Sequence, residues 1–360
     1  MRKKIKVGVL FGGKSAEHEV SLLSARNVIG ALDRKKYEVV PIGISKAGKW
    51  VLGETSHRVF RNKDQKRQTQ GREVSLVAQS SGTLVGAHNR ENYGKLDVVF
   101  PVLHGPYGED GSIQGLLKLA GVPFVGPDVL GSAVGMDKDV AKRLLRDAGI
   151  PVAKFLVFRR EDVRPNFEKL KRALGIPLFV KPANLGSSVG VSKVRTAREF
   201  VRAMRDAFAY DNKILVEEYI RGREIECAVL GNEHPAASVP GEIIPHHEFY
   251  SYEAKYLDEN GAALKIPAKL PRSTVKNVQQ LAVQTFRTLS CEGMARVDFF
   301  LTPRGKLYVN EINTIPGFTN ISMYPKLWEV SGISYSRLID KLIRLALARH
   351  RRDRKLKTSR

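Results

Sequence analysis

Met294-Ala295-Arg296-Val297-Asp298-Phe299-Phe300-Leu301 is followed, after Thr302-Pro303-Arg304-Gly305-Lys306, by Leu307-Tyr308-Val309-Asn310-Glu311-Ile312-Asn313. Both outer runs alternate with a period of two and read as strands. The proline and glycine between them signal a turn, so the pair reads as a hairpin. Alternation puts Arg296 and Asp298 on one face and Val297, Phe299 and Leu301 on the other. Glu311 and Asn313 share a face of the second strand. If Thr302 faces Leu307 across the turn, Asp298 faces Glu311 and Arg296 faces Asn313. Two carboxylates and an amide beside an arginine suit magnesium, which commonly arrives with a nucleotide's phosphates. A surface hairpin with a cross-strand salt bridge has the same pattern, and spacing alone leaves both readings open.

Upstream lie segments suited to a nucleotide. Lys181 ends the apolar run 178–181 and precedes Pro182-Ala183-Asn184-Leu185-Gly186-Ser187-Ser188-Val189-Gly190. Small residues let backbone N–H groups approach phosphate oxygens, and the lysine adds a point charge. The bland alternative is a flexible hairpin loop. Asp137 predicts the cap of a helix over 138–148 that stops at Gly149 before Pro151. Lys138 then lies in the first turn, where the helix dipole disfavours a cation; it is either solvated or aimed at phosphates. Val216-Glu217-Glu218-Tyr219-Ile220 precedes Arg221-Gly222-Arg223-Glu224. Such a strand could offer backbone edges to an adenine ring and Glu224 to a ribose, or be an ordinary strand-turn-strand. The aromatic stretch from Phe249 to Tyr256 reads as a water-excluding lid or a core strand.

At the other end, Gly8 to Ser15 matches the P-loop pattern literally. Gly8 is flanked by Val7, Val9 and Leu10, however, which places it inside the strand 4–11. What remains is a tight turn into a helix, capped by Ser15 and running to about Leu32, with Val20, Leu23, Val28 and Leu32 on its apolar face. Its N-terminal end suits an anion. Glu17 there either complements the dipole or grips a substrate ammonium. A strand at 37–44, a polar insertion at about 54–92 with one or two weak strands, and a strand at 97–103 follow. The last ends in His104-Gly105-Pro106-Tyr107-Gly108-Glu109-Asp110-Gly111, at the carboxyl end where alternating β/α folds bind ligands. Residues 126–134 read as a linker.

The 360 residues carry a formal charge of +23, which favours anionic partners. Much of it is scattered, and the run 349–360 reads as a disordered basic tail. Cys227 and Cys291 are too few for a disulfide framework, so buried free thiols are expected. Gly12-Gly13-Lys14-Ser15 interrupts the apolar start too early for a signal peptide. No stretch reaches the ~18 apolar residues of a membrane span, and a cytoplasmic location without membrane insertion is expected.

Taken in order, these segments resemble the D-alanine–D-alanine ligases of the ATP-grasp superfamily over about residues 4–348. The markers are residues 12–21, 104–111, 181–190, Glu253-Ala254-Lys255-Tyr256, Arg296-Val297-Asp298, and Asn310 to Gly317. The resemblance implies an α/β and α+β fold of three domains. A Rossmann-like N-terminal domain, similar to that of biotin carboxylase, would span 1–126. Central and C-terminal ATP-grasp subdomains would span 127–216 and 217–348. It implies ATP held by Lys138, Lys181, Ser187, Glu217, Glu218, Tyr219, Ile220, Glu224 and Asn310. Two magnesium ions, with manganese as a substitute, would sit on Asp298, Glu311 and Asn313. Glu17 would hold the first D-alanine's ammonium and link with Ser187 and Tyr256 to shut the lid. Ser322 would take the second carboxylate, Arg296 and Gly317 the oxyanion, and Lys255 the transferred phosphoryl group. His104 would lie near the substrates. A tyrosine at 256 points to D-Ala–D-Ala over D-Ala–D-lactate. A homodimer is implied; specific nucleic-acid binding is not. The rival readings are a P-loop ATPase at 8–15 and a basic nucleic-acid-binding protein.

Overall fold

The computed structural model describes residues 3–52, 72–78, 81–162, 165–245 and 262–357. The first unit runs β1 (Ile5–Gly12), α1 (His18–Ala31), β2 (Tyr37–Ile44), β3 (Trp50–Leu52), β4 (Arg72–Leu76), β5 (Thr83–Gly86), β6 (Asn92–Lys95), β7 (Val98–Val102) and α2 (Ser112–Leu119). Its sheet has the order β6-β5-β4-β3-β2-β1-β7. β1 pairs in parallel with β2 and β7, a Rossmann-like centre covered on both faces, which is why its apolar run is continuous. A Cβ on Gly8 would come within 2.6 Å of the Leu96 side chain. That glycine answers to packing, not to a phosphate loop.

Three expectations change here. α1 begins at His18 rather than after Ser15, whose hydroxyl instead accepts the Glu17 N–H at 2.9 Å. Leu23 is 56% exposed while Val20, Val28 and Leu32 are buried. The polar insertion supplies three antiparallel strands, β4 to β6, because Val74, Leu76 and Leu84 give it a buried face. Its residues 53–71 lie outside the described ones.

The second unit runs α3 (Val129–Met136), α4 (Lys138–Asp147), β8 (Phe155–Arg159), α5 (Phe167–Leu174), β9 (Leu178–Pro182), β10 (Ser192–Val194), α6 (Ala197–Phe208) and β11 (Lys213–Glu218). The expected linker is largely α3, capped by the Asp128 side chain. Asp137 accepts from the N–H groups of Asp139 and Val140 at 3.1 Å each, a cap contributing ~1 kcal/mol. The sheet order is β10-β9-β11-β8. β11 stays paired with β9 through Glu218, so the sheet runs two residues past the boundary expected at 216.

The third unit runs β12 (Arg223–Gly231), β13 (Ala236–Ala237), β14 (Gly241–Pro245), β15 (Ala262–Lys265), α7 (Arg272–Thr288), β16 (Gly293–Leu301), β17 (Leu307–Asn313), α8 (Met323–Val330) and α9 (Tyr335–Asp353). Its main sheet is β15-β14-β12-β16-β17. Ile225, Cys227, Val229, Val297 and Phe299 pack with Val278, Ala282 and Phe286 of α7. On the opposite face Ala228, Leu230 and Met294 pack into a second core, and Glu226, Arg296 and Asp298 continue the same face along the strands. Leu338, Ile339, Leu342, Ile343 and Ala346 of α9 join one core with Val98, Phe100 and Val102, fastening the third unit to the first. The basic tail is not a tail from its start. α9 carries Arg349 inward, 4% exposed, where it donates to the carbonyls of Gly126 and Phe124 at 2.6 and 2.8 Å. Both cysteines are buried, and burial pushes their thiols up to about 12.

Candidate active site

The hairpin of β16 and β17 brings the four residues together, by a route the spacing did not give. Leu301, not Thr302, faces Leu307; a β-bulge between Asp298 and Phe299 then lets Asn310 stand unpaired. The extra residue restores Asp298 opposite Glu311 and Arg296 opposite Asn313. Arg296 grips Asp298 with two bonds at 2.8 and 2.7 Å. Asn313 donates to Asp298 at 3.0 Å, leaving its carbonyl oxygen as the atom able to ligate. Asp298 and then Glu226 hold the Arg296 guanidinium well above its ordinary pKa against the opposing effect of burial. The donor set is hard oxygen, two carboxylates and an amide, which fits magnesium completed by phosphate oxygens and water.

Lys138 connects this hairpin to the small-residue loop. Its ammonium donates to the Leu185 carbonyl at 2.5 Å and lies 3.8 Å from Glu311. Burial lowers its pKa, with Glu311 opposing. The loop itself is anchored by Asn184, whose N–H and amide both donate to Asp211, at 2.8 and 3.1 Å. Ser187 and Ser188 are both left-handed, φ 51° and 60°. Such residues cost about 1–3 kcal/mol each and gather at functional sites. Successive N–H groups in such a turn form an anion-binding concavity. The Ser187 hydroxyl donates to the Glu17 carboxylate, joining the second unit to the first.

Glu217 is placed differently from expectation. The residue is 3% exposed, and its carboxylate bridges two lysines, Lys181 on one oxygen and Lys142 at 3.0 Å on the other. Burial alone would raise its pKa, but Lys142 and Lys181 outweigh it and the net shift is downward. Lys142 is the residue the sequence reading missed, though it lies four positions after Lys138, on the same helix face. Glu218 accepts the Lys154 N–H at 2.7 Å and returns its own N–H to the Lys154 carbonyl. Tyr219 is 41% exposed, with the Lys193 ammonium 4.8 Å from its ring centre. Ile220 follows in the link to β12, where Glu224 lies opposite Phe300.

The 104–111 loop is clasped to residue 315 from both sides. His104 Nδ1 donates to the Ile315 carbonyl at 3.0 Å, and the Ile315 N–H reaches Glu109 at 3.0 Å. Burial lowers the His104 pKa, with Glu17 opposing. Gly105 is left-handed, φ 74°, the conformation that favours glycine, and a Cβ there would stand 2.8 Å from a Glu17 oxygen. Ser322 and Gly317 are neighbours: a Cβ on Gly317 would meet the Ser322 hydroxyl at 2.7 Å. That hydroxyl accepts the Thr319 N–H at 3.0 Å. Lys255 and Tyr256 lie outside the described residues.

Glu109 was also missed. Burial, then the charge of Glu17, push its carboxyl up to about 7, against bonds from the Gly105 and Ile315 N–H groups. A carboxyl raised on folding contributes stability that is present below its unfolded pKa and lost as pH rises through the folded one. In the magnesium-free protein, Glu109→Gln is expected to remove part of the fall in unfolding free energy between the ordinary value of 4.5 and about 7. Urea denaturation across that interval reads the slope; an unaltered slope rules the assignment out.

Residues 6–127 match the family described as D-ala D-ala ligase N-terminus, and residues 144–344 the one described as D-ala D-ala ligase C-terminus. The chain belongs to the D-alanine–D-alanine ligase family. A D-alanine–D-alanine ligase of Oceanobacillus iheyensis is 55% identical over 362 residues, 99% of each chain. The structure of the ligase from Coxiella burnetii superposes with a TM-score of 0.88 at 42% identity, covering 98% of this chain and 96% of that one. The VanG D-Ala:D-Ser ligase of Enterococcus faecalis superposes at 0.86 and 39% identity, covering 96% and 100%. The ligase architecture is thus shared by enzymes whose second substrates differ.

Proposed function

We propose that this ligase joins two D-alanine molecules at the expense of ATP, for peptidoglycan precursor synthesis, through an acyl phosphate. The observation that carries the reading is the Lys138 ammonium, which touches both the small-residue loop and the Glu311 side of the hairpin. Phosphate oxygens placed there meet Lys138, Lys181 and the N–H groups of the 186–190 turn. The γ-phosphoryl group passes to the carboxylate of the first D-alanine, releasing ADP. The amine of the second attacks the acyl carbon, and phosphate leaves as the amide forms.

Each remaining residue takes one role. Glu17 holds the first ammonium, with Ser187 bonded to its carboxylate. Arg296 and the Gly317 N–H face the oxyanion, each such donor contributing ~3 kcal/mol. Ser322 and neighbouring N–H groups take the second carboxylate. Lys255 would meet the transferred phosphoryl group, and Tyr256 would complete the link of Glu17 and Ser187. Glu218 to Ile220 and Glu224 receive adenosine, and Asn310, within β17 next to Glu311, contacts the nucleotide. Glu217 serves that pocket by holding Lys181. Asp298, Glu311 and Asn313 would hold two magnesium ions, or manganese, which when bound offset phosphate charge and polarise the transferred group.

A cytoplasmic homodimer is the form we propose. Among the described residues no helix is long and apolar enough to cross a membrane. D-Alanine, D-serine and D-lactate supplied together with ATP and magnesium give the test. Mass spectrometry should find mainly D-alanyl-D-alanine, with one phosphate released per dipeptide; a dominant ester or D-Ala–D-Ser product refutes the substrate assignment.

A further inference from the structure

We propose that Glu226 is a positioning residue for Arg296, seating the guanidinium when Asp298 turns its oxygens to magnesium. The inference rests on the metal reading above. β12 and β16 run antiparallel with Glu226 opposite Asp298 and Ala228 opposite Arg296. Alternation therefore sets Glu226, Asp298 and Arg296 on one face. The guanidinium lies between two carboxylates. Its Nε is 2.9 Å from Glu226 Oε2, and its two bonds to Asp298 are 2.8 and 2.7 Å long. Glu226 is 5% exposed.

A bidentate arginine–carboxylate pair engages both carboxylate oxygens. An oxygen that keeps the guanidinium while ligating a divalent cation brings two positive charges together. Asp298 therefore gains the ion by loosening Arg296. A buried guanidinium stripped of its counter-charge is strongly disfavoured. Glu226 already touches it and carries the charge needed. The arginine then pivots between two seats on one sheet face rather than leaving the site. Glu226 thus favours cation binding through Arg296, and keeps Arg296 on the face where the oxyanion forms.

Calorimetry of magnesium binding to the full chain with saturating ADP tests this. The variants are Asp298→Asn, Glu226→Gln, Arg296→Met and the Glu226→Gln/Arg296→Met pair. Glu226→Gln is expected to weaken magnesium about tenfold in the wild-type background and less than ~2-fold in Arg296→Met, the mark of residues acting as a unit. Equal weakening in both backgrounds overturns the proposal, since Glu226 would then act directly on the ion. No weakening in either also overturns it. Asp298→Asn distinguishes the two layers. If magnesium affinity survives that change, the metal reading itself fails. If affinity is lost and the cycle shows no coupling, only the role of Glu226 fails. Should Glu226→Gln not fold, Glu226→Asp carries the same cycle: the shorter carboxylate should weaken magnesium only where Arg296 is present.

Discussion

Asp298→Asn should lower kcat/KM for D-alanine ligation by about a thousandfold while leaving the fold intact. Asp298 is where the contacts of the hairpin meet. Arg296 holds both its oxygens, Asn313 bonds one of them, and Glu311 faces it across the strands. The substitution keeps the shape and removes the charge. Metal-borne charge stabilisation is worth several kcal/mol, and each ~1.4 kcal/mol is a decade in rate. ADP release coupled to dipeptide formation reads it. Lys14→Ala is the companion measurement. Lys14 lies 5.8 Å from the Tyr107 ring centre, and Gly8 belongs to β1, so most activity should remain. A near-normal Asp298→Asn enzyme, or a dead Lys14→Ala one, would return the field to a P-loop mechanism.

Glu217→Gln should destabilise the protein by about 3–5 kcal/mol at neutral pH, the usual result of leaving buried charge uncompensated. Lys142 is 2% exposed and Lys181 8%, and both stand on that one carboxylate. Burial already lowers the Lys142 pKa, with Glu217 opposing; without Glu217 it falls further. A lysine whose pKa is depressed on folding binds fewer protons folded than unfolded, so stability rises with pH between the two values. The defect should therefore shrink as pH approaches the ordinary ~10.4 of lysine. Urea titrations at pH 7 and 9.5 give the comparison, and a loss that does not vary with pH removes the explanation. Lys142→Met should cost less, because Glu217 keeps Lys181.

The hairpin could be read from alternation and the buried strands of the first sheet from continuous apolar runs, because both patterns follow from which faces are covered; the Rossmann-like centre was implied by the resemblance. The facing pairs of the site were legible for a reason that proved incomplete. The turn is one residue out of step with the site, and the bulge at Asn310 makes up the difference. A bulge leaves little trace in polarity. The Glu17 to Ser187 contact joins residues 170 positions apart, which no local pattern encodes. Lys142, Glu109 and Glu226 escaped for a shared reason: each is polar in a setting that becomes buried only when another element closes over it. The basic run from 349 misled because composition weighs charge without asking what a helix turns inward.

Arg349 has a consequence for biosynthesis. The carbonyls of Phe124 and Gly126 that it caps come 225 and 223 residues earlier. N-terminal parts of a chain generally fold first as it is made. On the ribosome, the exit of β7 and its flanking segment leaves those two oxygens without the Arg349 guanidinium until α9 has emerged. The nascent N-terminal unit therefore lacks this latch until α9 arrives.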